Sequence, residues 1–146
     1  MKNLTQIVPD FRVALEEGLE DAAGQVVADL QEEGPAWTGV FRTLWQVNAG
    51  NYAVKPNVAN PLPVPSKPTT TVETAKVEIP ESPNLAGYTI GNRADYRLYA
   101  MDILGDPLRG DKQGRTAAKN WYETYINSKM RTVVNKSIQN VFRRYS

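Results

Sequence analysis

The stretch Trp37-Thr38-Gly39-Val40-Phe41-Arg42-Thr43-Leu44-Trp45-Gln46-Val47 decides the fold, because its aromatic and β-branched residues separate two long helical patterns. Every second side chain falls on one side of a strand-like alternation: Phe41, Thr43, Trp45 and Val47. This pattern is typical of a strand with one buried face. Thr38-Gly39 predicts an irregular entry to the strand, and Gly50-Asn51 predicts a turn after it.

A long helix is predicted on the N-terminal side of this strand. Apolar side chains recur there at steps of three and four residues: Phe11, Leu15, Leu19, Ala22 or Ala23, Val26 and Leu30. Asp10 is the predicted N-cap, and Gly34-Pro35 is expected to end the helix because proline cannot continue it.

A second long helix is predicted from about Thr116 to Arg144. Its apolar residues trace a wide stripe: Ala118, Trp121, Tyr122, Tyr125, Ile126, Met130, Val133, Val134, Ile138, Val141 and Phe142. Basic residues fill much of the remaining surface: Lys119, Lys129, Arg131, Lys136, Arg143 and Arg144.

Seven of the ten prolines lie in residues 55–83. Proline lacks a backbone donor and fixes φ, so this segment is predicted to be an extended arm or long loop. One short strand is expected within it, where Ala75, Val77 and Ile79 alternate with polar residues. The predicted contact residues of the arm are Val72, Ala75, Val77 and Ile79.

The remaining segments complete one domain over residues 1–146. Leu85 to Asn92 reads as a strand, Ala94 to Leu104 as a short helix or another strand, and Gly105 to Gly114 as a loop. The predicted class is α+β: an N-terminal helix, a small antiparallel sheet with a long Pro-rich arm, and a long C-terminal helix packed on the sheet.

Charge is distributed unevenly although the net charge is only +1. Residues 1–36 hold eight acids and two bases, residues 37–108 hold six of each, and residues 109–146 hold nine bases and two acids. Such asymmetry indicates a nucleic-acid or membrane partner, or an acidic and a basic face that meet within one chain or between copies. No run approaches the ~20 apolar residues of a membrane span, so a soluble protein made in the cytosol and without a membrane partner is expected.

The composition excludes much chemistry. The chain has no Cys and no His, which removes disulfides, thiolate nucleophiles, Cys-ligated metals and histidine bases. Acid pairs such as Glu16/Glu20 are interpreted as a solvated helix face. No phosphate-binding glycine motif occurs, so neither an enzyme nor a cofactor or metal is predicted.

The segment from Trp37 to Trp45 resembles the T-G-x-[LF]-R-x-[ST]-hydrophobic signature of small neck and tail-completion proteins of long-tailed bacteriophages. A second resemblance is Tyr88-Thr89-Ile90-Gly91-Asn92, followed by Tyr99-Ala100 and then Asp102-Ile103-Leu104-Gly105. The resemblance runs in order from about residue 10 to 145. The chain departs from the family in a shorter Pro-to-Thr spacing, in an Asp where the family favours Glu, and in a longer arm.

The resemblance implies a structural subunit that repeats in a ring at the head–tail junction of a virion. Its partners would be copies of itself and the neighbouring connector and tail proteins, close to double-stranded DNA in the channel. The residues that match the family motif, and that are expected at inter-subunit contacts, are Thr38, Gly39, Phe41, Arg42, Trp45, Asn92 and Tyr99. Arg42 is expected to form a salt bridge or an inter-subunit contact, and the arm strand is expected to add to a neighbour's sheet edge.

Two alternatives stay open at the level of sequence. The basic C-terminal helix could make the chain a nucleic-acid-binding module whose affinity falls steeply with salt. A carboxylate-based hydrolase without histidine is the other, and no motif supports it. Phe41 and Trp45 could also serve only in ordinary strand packing.

Overall fold

The computed structural model describes residues 4–34, 40–59, 76–82, 86–95, 97–101 and 120–145. The first elements are helix α1 (Leu4–Glu33), the helical turn α2 (Val40–Thr43) and strand β1 (Trp45–Ala49). Strand β2 (Tyr88–Asn92) and the turn α3 (Arg97–Ala100) come next. Helix α4 (Trp121–Thr124), a π-helical turn (Tyr125–Lys129) and helix α5 (Met130–Tyr145) complete the order. The predicted loop Gly105–Gly114 lies outside the described residues.

Helix α1 confirms the predicted N-terminal helix and corrects its start. The helix begins at Leu4, so Asp10 lies inside it and is not the N-cap. The reason is visible in the spacing, because Leu4, Ile7 and Val8 continue the three- and four-residue period ahead of Phe11. At the other end the helix stops at Glu33, and the Gly34 amide still donates to the Leu30 carbonyl at 3.1 Å.

Helices α4 and α5 form one continuous C-terminal helix with the π-helical turn between them. Thr124, Tyr125 and Met130 all have right-handed helical backbone angles, so the chain does not break at either boundary. A π turn inserts one extra residue into the helical ladder and rotates the side chains of α5 relative to those of α4. Asn120 precedes the helix with a φ of 56°, a left-handed conformation that asparagine tolerates well.

The C-terminal helix packs antiparallel against α1. Lys129 meets Glu33 near one end of the pair, and the Phe142 ring lies 5.3 Å from the Phe11 ring near the other. The helices approach closely at Gly18, where an added Cβ would lie 3.0 Å from the Ile138 Cα. A glycine at this position permits backbone contact that any side chain would obstruct.

Strands β1 and β2 form a two-stranded antiparallel sheet in which Trp45 pairs with Asn92 and Ala49 with Tyr88. This confirms the strand predicted to end at Asn92. Glycine at position 91 is required because Val54 crosses the sheet there, and an added Cβ would lie 2.7 Å from the Val54 Cβ. Gly50 turns the chain out of β1 with a φ of 73°.

Two predicted strands are wrong in part. The strand expected from Phe41 starts at Trp45, because Val40–Thr43 instead form the turn α2 closed by a bond from the Leu44 amide to the Phe41 carbonyl at 3.2 Å. The strand expected at 74–79 is not formed in its described part, since residues 76–80 have no regular secondary structure and make no backbone bond to another described residue. The segment that could have been helix or strand contains the helical turn α3.

The hydrophobic core joins every layer of the fold, and the predicted mixed α+β class is confirmed. Leu30 of α1, Trp45 of β1 and Tyr125 of the C-terminal helix are all at most 3% exposed. Burying each large apolar side chain contributes about 1.5–3 kcal/mol relative to exposure. Half-buried residues from the arm and the sheet pack on this core, among them Val58, Val77 and Ile90.

A helix that crosses a bilayer needs about 20 predominantly apolar residues. Within the described segments, no helix combines the length and the apolar character that such a crossing requires.

Substitution by alanine should change the free energy of unfolding differently at the two glycines of α1. At Gly24 the nearest side-chain atom, Ile79 Cγ1, lies 3.9 Å from an added Cβ, so Gly24→Ala should raise the free energy of unfolding by about 0.5–1 kcal/mol through helix propensity. At Gly18 the added Cβ meets backbone, so Gly18→Ala should be less stable than Gly24→Ala by about 1–3 kcal/mol. Urea denaturation of both variants measures this difference. Equal changes in stability would contradict the close helix approach.

Candidate functional site

Four of the predicted motif residues converge where α1, α2 and the sheet meet, a place we call the junction: Phe41, Arg42, Trp45 and Asn92. The α2 turn brings Phe41 and Arg42 to this place, and the sheet register sets Asn92 directly opposite Trp45. The described parts of the two stretches that carry the resemblance, Phe41–Trp45 and Tyr88–Asn92, are therefore neighbours in space.

Arg42 binds the C-terminal end of α1. Its guanidinium donates to the Gly34 carbonyl at 2.8 Å and to the Glu32 carbonyl at 3.3 Å, while its own carbonyl accepts from Gln31 Nε2 at 3.2 Å. A cation here meets the unpaired carbonyls and the negative end of the helix dipole. Burial lowers the pKa of the Arg42 guanidinium, and the Glu32 carboxylate opposes that shift. The described contacts of Arg42 thus lie within the chain.

The Asn92 side chain connects α2 to the end of β2 by a hydrogen bond. Its side chain is 1% exposed, donates from Nδ2 to the Phe41 carbonyl at 3.0 Å and accepts the Ala94 amide on Oδ1 at 2.9 Å. Both bonds are buried, so replacing the amide would leave a donor and an acceptor unpaired. The signal in the sequence is an asparagine that ends a strand.

Trp45 connects the junction to the C-terminal helix. Its ring lies edge-on to Phe41 with centroids 5.6 Å apart and stacks on Tyr122 at 6.5 Å. The neighbouring Trp121 donates from Nε1 to the Ala100 carbonyl at 2.9 Å. The Trp45 indole N–H is buried and has no partner in the described part of the chain, so packing area rather than hydrogen bonding holds this ring.

The remaining predicted site residues are described only in part. Thr38, Gly39, Val72 and Ala75 lie outside the described residues, and only the backbone of Tyr99 is described, within α3. Val77 and Ile79 are half-buried against the core of the same chain. The roles expected for these residues between subunits stay predictions.

The acidic and basic segments of the sequence meet within the chain. Lys129 Nζ lies 2.6 Å from Glu33 Oε1, and Arg144 lies 3.7 Å from Asp21. Both pairs are exposed, and surface pairs of this kind contribute only about 0–1 kcal/mol each. Contact between the acidic and the basic helix within one chain therefore accounts for part of the charge asymmetry.

A buried tyrosine strengthens the same helix pair, and the sequence pattern did not indicate its role. Tyr125 is 2% exposed and donates to Asp29 Oδ2 at 2.7 Å. Burial, the bond to Asp29 and the nearby carboxylates raise the pKa of Tyr125 far above its ordinary value. Periodicity predicted only that Tyr125 lies on the apolar stripe, and an acid on the facing helix carries no signal in a single sequence.

An open groove runs along β1, and no sequence pattern predicted it. Strand β1 and residues 76–80 both line the groove, together with Glu20, Tyr52 and Arg93. Tyr52 is 78% exposed beside it. Both signs of charge line the groove, so it suits a polypeptide better than a strongly charged ligand.

The described residues offer no group of side chains placed for metal binding. No three carboxylates among them are placed to hold a metal ion. The arrangement at the junction, a network of carbonyl contacts and stacked rings, positions secondary structure instead.

Comparison with known proteins found no match to a family model, a curated protein or a solved structure.

Replacing Arg42 should loosen the end of α1. Arg42→Met keeps an unbranched side chain but removes the donors to Gly34 and Glu32, and we expect the free energy of unfolding to fall by about 1–3 kcal/mol. Arg131→Met is the control, because Arg131 is exposed on α5, and it should change stability by less than about 0.5 kcal/mol. Urea denaturation measures stability, and amide exchange should accelerate in the last turn of α1 only in Arg42→Met. Equal stability of the two variants would show that the carbonyl contacts do not matter.

Proposed function

We propose that this chain is a non-enzymatic structural subunit of a bacteriophage neck, repeated in a ring that joins the DNA-filled head to the tail. The observation that carries the proposal is the pairing of Trp45 with Asn92, which joins the described parts of the two stretches that resemble the neck and tail-completion family. The residues that carry the resemblance are far apart in the chain but contact one another in the fold. Such contact is expected when these residues hold together a protein whose role is structural.

The local geometry supports the same proposal. Phe41, Arg42 and Asn92 all make contacts that fix helices and strands relative to one another. A ring subunit needs rigid surfaces because each small error in orientation accumulates around the ring. The proposed location is the virion, with connector and tail proteins as neighbours and the DNA channel close by.

The nucleic-acid-binding alternative has less support. Two cations of the basic helix, Lys129 and Arg144, are engaged by acids of α1. Arg131 and Lys136 remain exposed on α5 and could contact phosphates. A function that depends on these two residues is therefore the competing proposal.

Deletion of the coding sequence, followed by complementation, tests the proposed function. Particles from cells that produce the chain should contain it at the head–tail junction, and deletion should release full heads and unjoined tails. The wild-type chain should restore joining, and so should the Arg131→Ala/Lys136→Ala variant, because the proposal assigns these cations no role. Electron microscopy of the particles gives the result.

Two outcomes decide against the proposal. A protein absent from the particles, or joined particles after deletion, would contradict a neck subunit. Loss of function specific to Arg131→Ala/Lys136→Ala, together with salt-sensitive DNA binding by the wild type, would favour the alternative.

A further inference from the structure

Among the described residues, the main-chain groups on the outer edge of β1 have no partner. The Gly50 amide donates to the Gly87 carbonyl and the Arg93 amide to the Leu44 carbonyl, so the even-numbered residues of this strand face β2. In an antiparallel pair the intervening residues point the other way. Trp45, Val47 and Ala49 therefore direct their amides and carbonyls away from β2, and no backbone bond in the described part of the chain reaches them from that side.

Trp45, Val47 and Ala49 also line the groove described above. The segment Lys76–Pro80 lines the same groove, and its burial alternates as in an edge strand: Val77 and Ile79 are half-buried, while Lys76 and Glu78 are more exposed. Within the described residues, this segment makes no backbone hydrogen bond with β1. Among the described residues, an open strand edge and a segment with strand-like alternation thus line one groove without a backbone bond between them.

We propose that the outer edge of β1 is an acceptor site for the Lys76–Pro80 segment of a second copy of this chain. The segment would add as a third strand, with main-chain bonds to Trp45, Val47 and Ala49. The inference rests on the proposed function, because a ring built from head-to-tail contacts needs one donor and one acceptor on each subunit.

The chemistry of the groove favours this occupant. A row of alternating amides and carbonyls is complementary to an extended strand and to little else. The segment carries one base and one acid on its polar side, Lys76 and Glu78, and the groove presents one of each, Arg93 and Glu20. Val77 and Ile79 are only half-buried on the core of their own chain. When two copies exchange identical segments, equivalent contacts with the neighbour's core replace the contacts that each segment gives up.

Cysteine cross-linking tests this acceptor site directly. The chain has no Cys, so Ala49→Cys and Val77→Cys each carry a single thiol, and an equal mixture can form a mixed disulfide only between copies. Paired strands place Cβ atoms within disulfide range, so mild oxidation should give about tenfold more mixed dimer than a control mixture of Ala49→Cys with Lys136→Cys, through the raised effective concentration. Urea denaturation of each variant verifies that it is folded.

Amide exchange gives an independent readout on the unmodified chain. The Trp45, Val47 and Ala49 amides should exchange more slowly as protein concentration rises, while amides in the centre of α1 should not change. Mixed dimer no greater than in the control would overturn the proposal. A double variant that forms its disulfide only within one chain would also overturn it, because the edge would then belong to the chain's own segment.

The purified protein can fail this test while the particle experiment succeeds. If the protein is present in virions but forms no mixed dimer, another surface joins the copies. A mixed dimer from a protein absent from virions would keep the acceptor site and reject the neck.

Discussion

The antiparallel packing of α1 against the C-terminal helix is the contact on which the rest of the structure depends. A two-stranded sheet is marginal in water on its own, and here it needs helices to cover Trp45 and Val47. Gly18 allows the helix backbones to approach, and Tyr125 joins the pair through Asp29. Once these helices are fixed, the C-terminal end of α1 is in place to receive Arg42.

The contacts at the junction hold α2 and the sheet in place against that helix pair. Arg42 satisfies carbonyls at the end of α1, Asn92 connects α2 to β2, and Trp45 stacks on Tyr122 of the C-terminal helix. The Arg42 contact connects consecutive elements, whereas the Asn92 and Trp45 contacts connect elements that are distant in sequence. Together these contacts fix the orientation of the elements relative to one another. The opposite edge of β1 is left with main-chain groups unpaired within the described residues, and the proposed contact between copies would use this edge.

Much of the fold could be predicted from the sequence because local periodicity encodes it. The stripes of α1 and of the C-terminal helix, the alternation of Trp45 and Val47, and the strand ending at Asn92 are short-range signals. The errors occurred where distant contacts override local preference. Val40–Thr43 form a turn because Arg42 bonds to α1 and Phe41 bonds to Asn92. Residues 76–80 alternate in polarity but make no backbone bond within the described part of the chain. At the candidate site, the motif predicted that Phe41, Arg42, Trp45 and Asn92 are site residues. No pattern in a single sequence predicted the Tyr125–Asp29 bond or the groove.

The alkaline stability of Tyr125→Phe tests the helix packing most directly. A tyrosine whose pKa is raised by folding stabilises the protein fully below its unfolded pKa near about 10, and that contribution is lost as pH rises above this value. Wild-type stability should therefore fall above about pH 10, and Tyr125→Phe should fall less steeply, with a residual slope from Tyr88 and Tyr122, whose pKa values are also raised. Tyr52→Phe, at a position 78% exposed, should keep the wild-type slope. An unchanged slope in Tyr125→Phe would contradict a buried tyrosine bonded to Asp29 between the two helices.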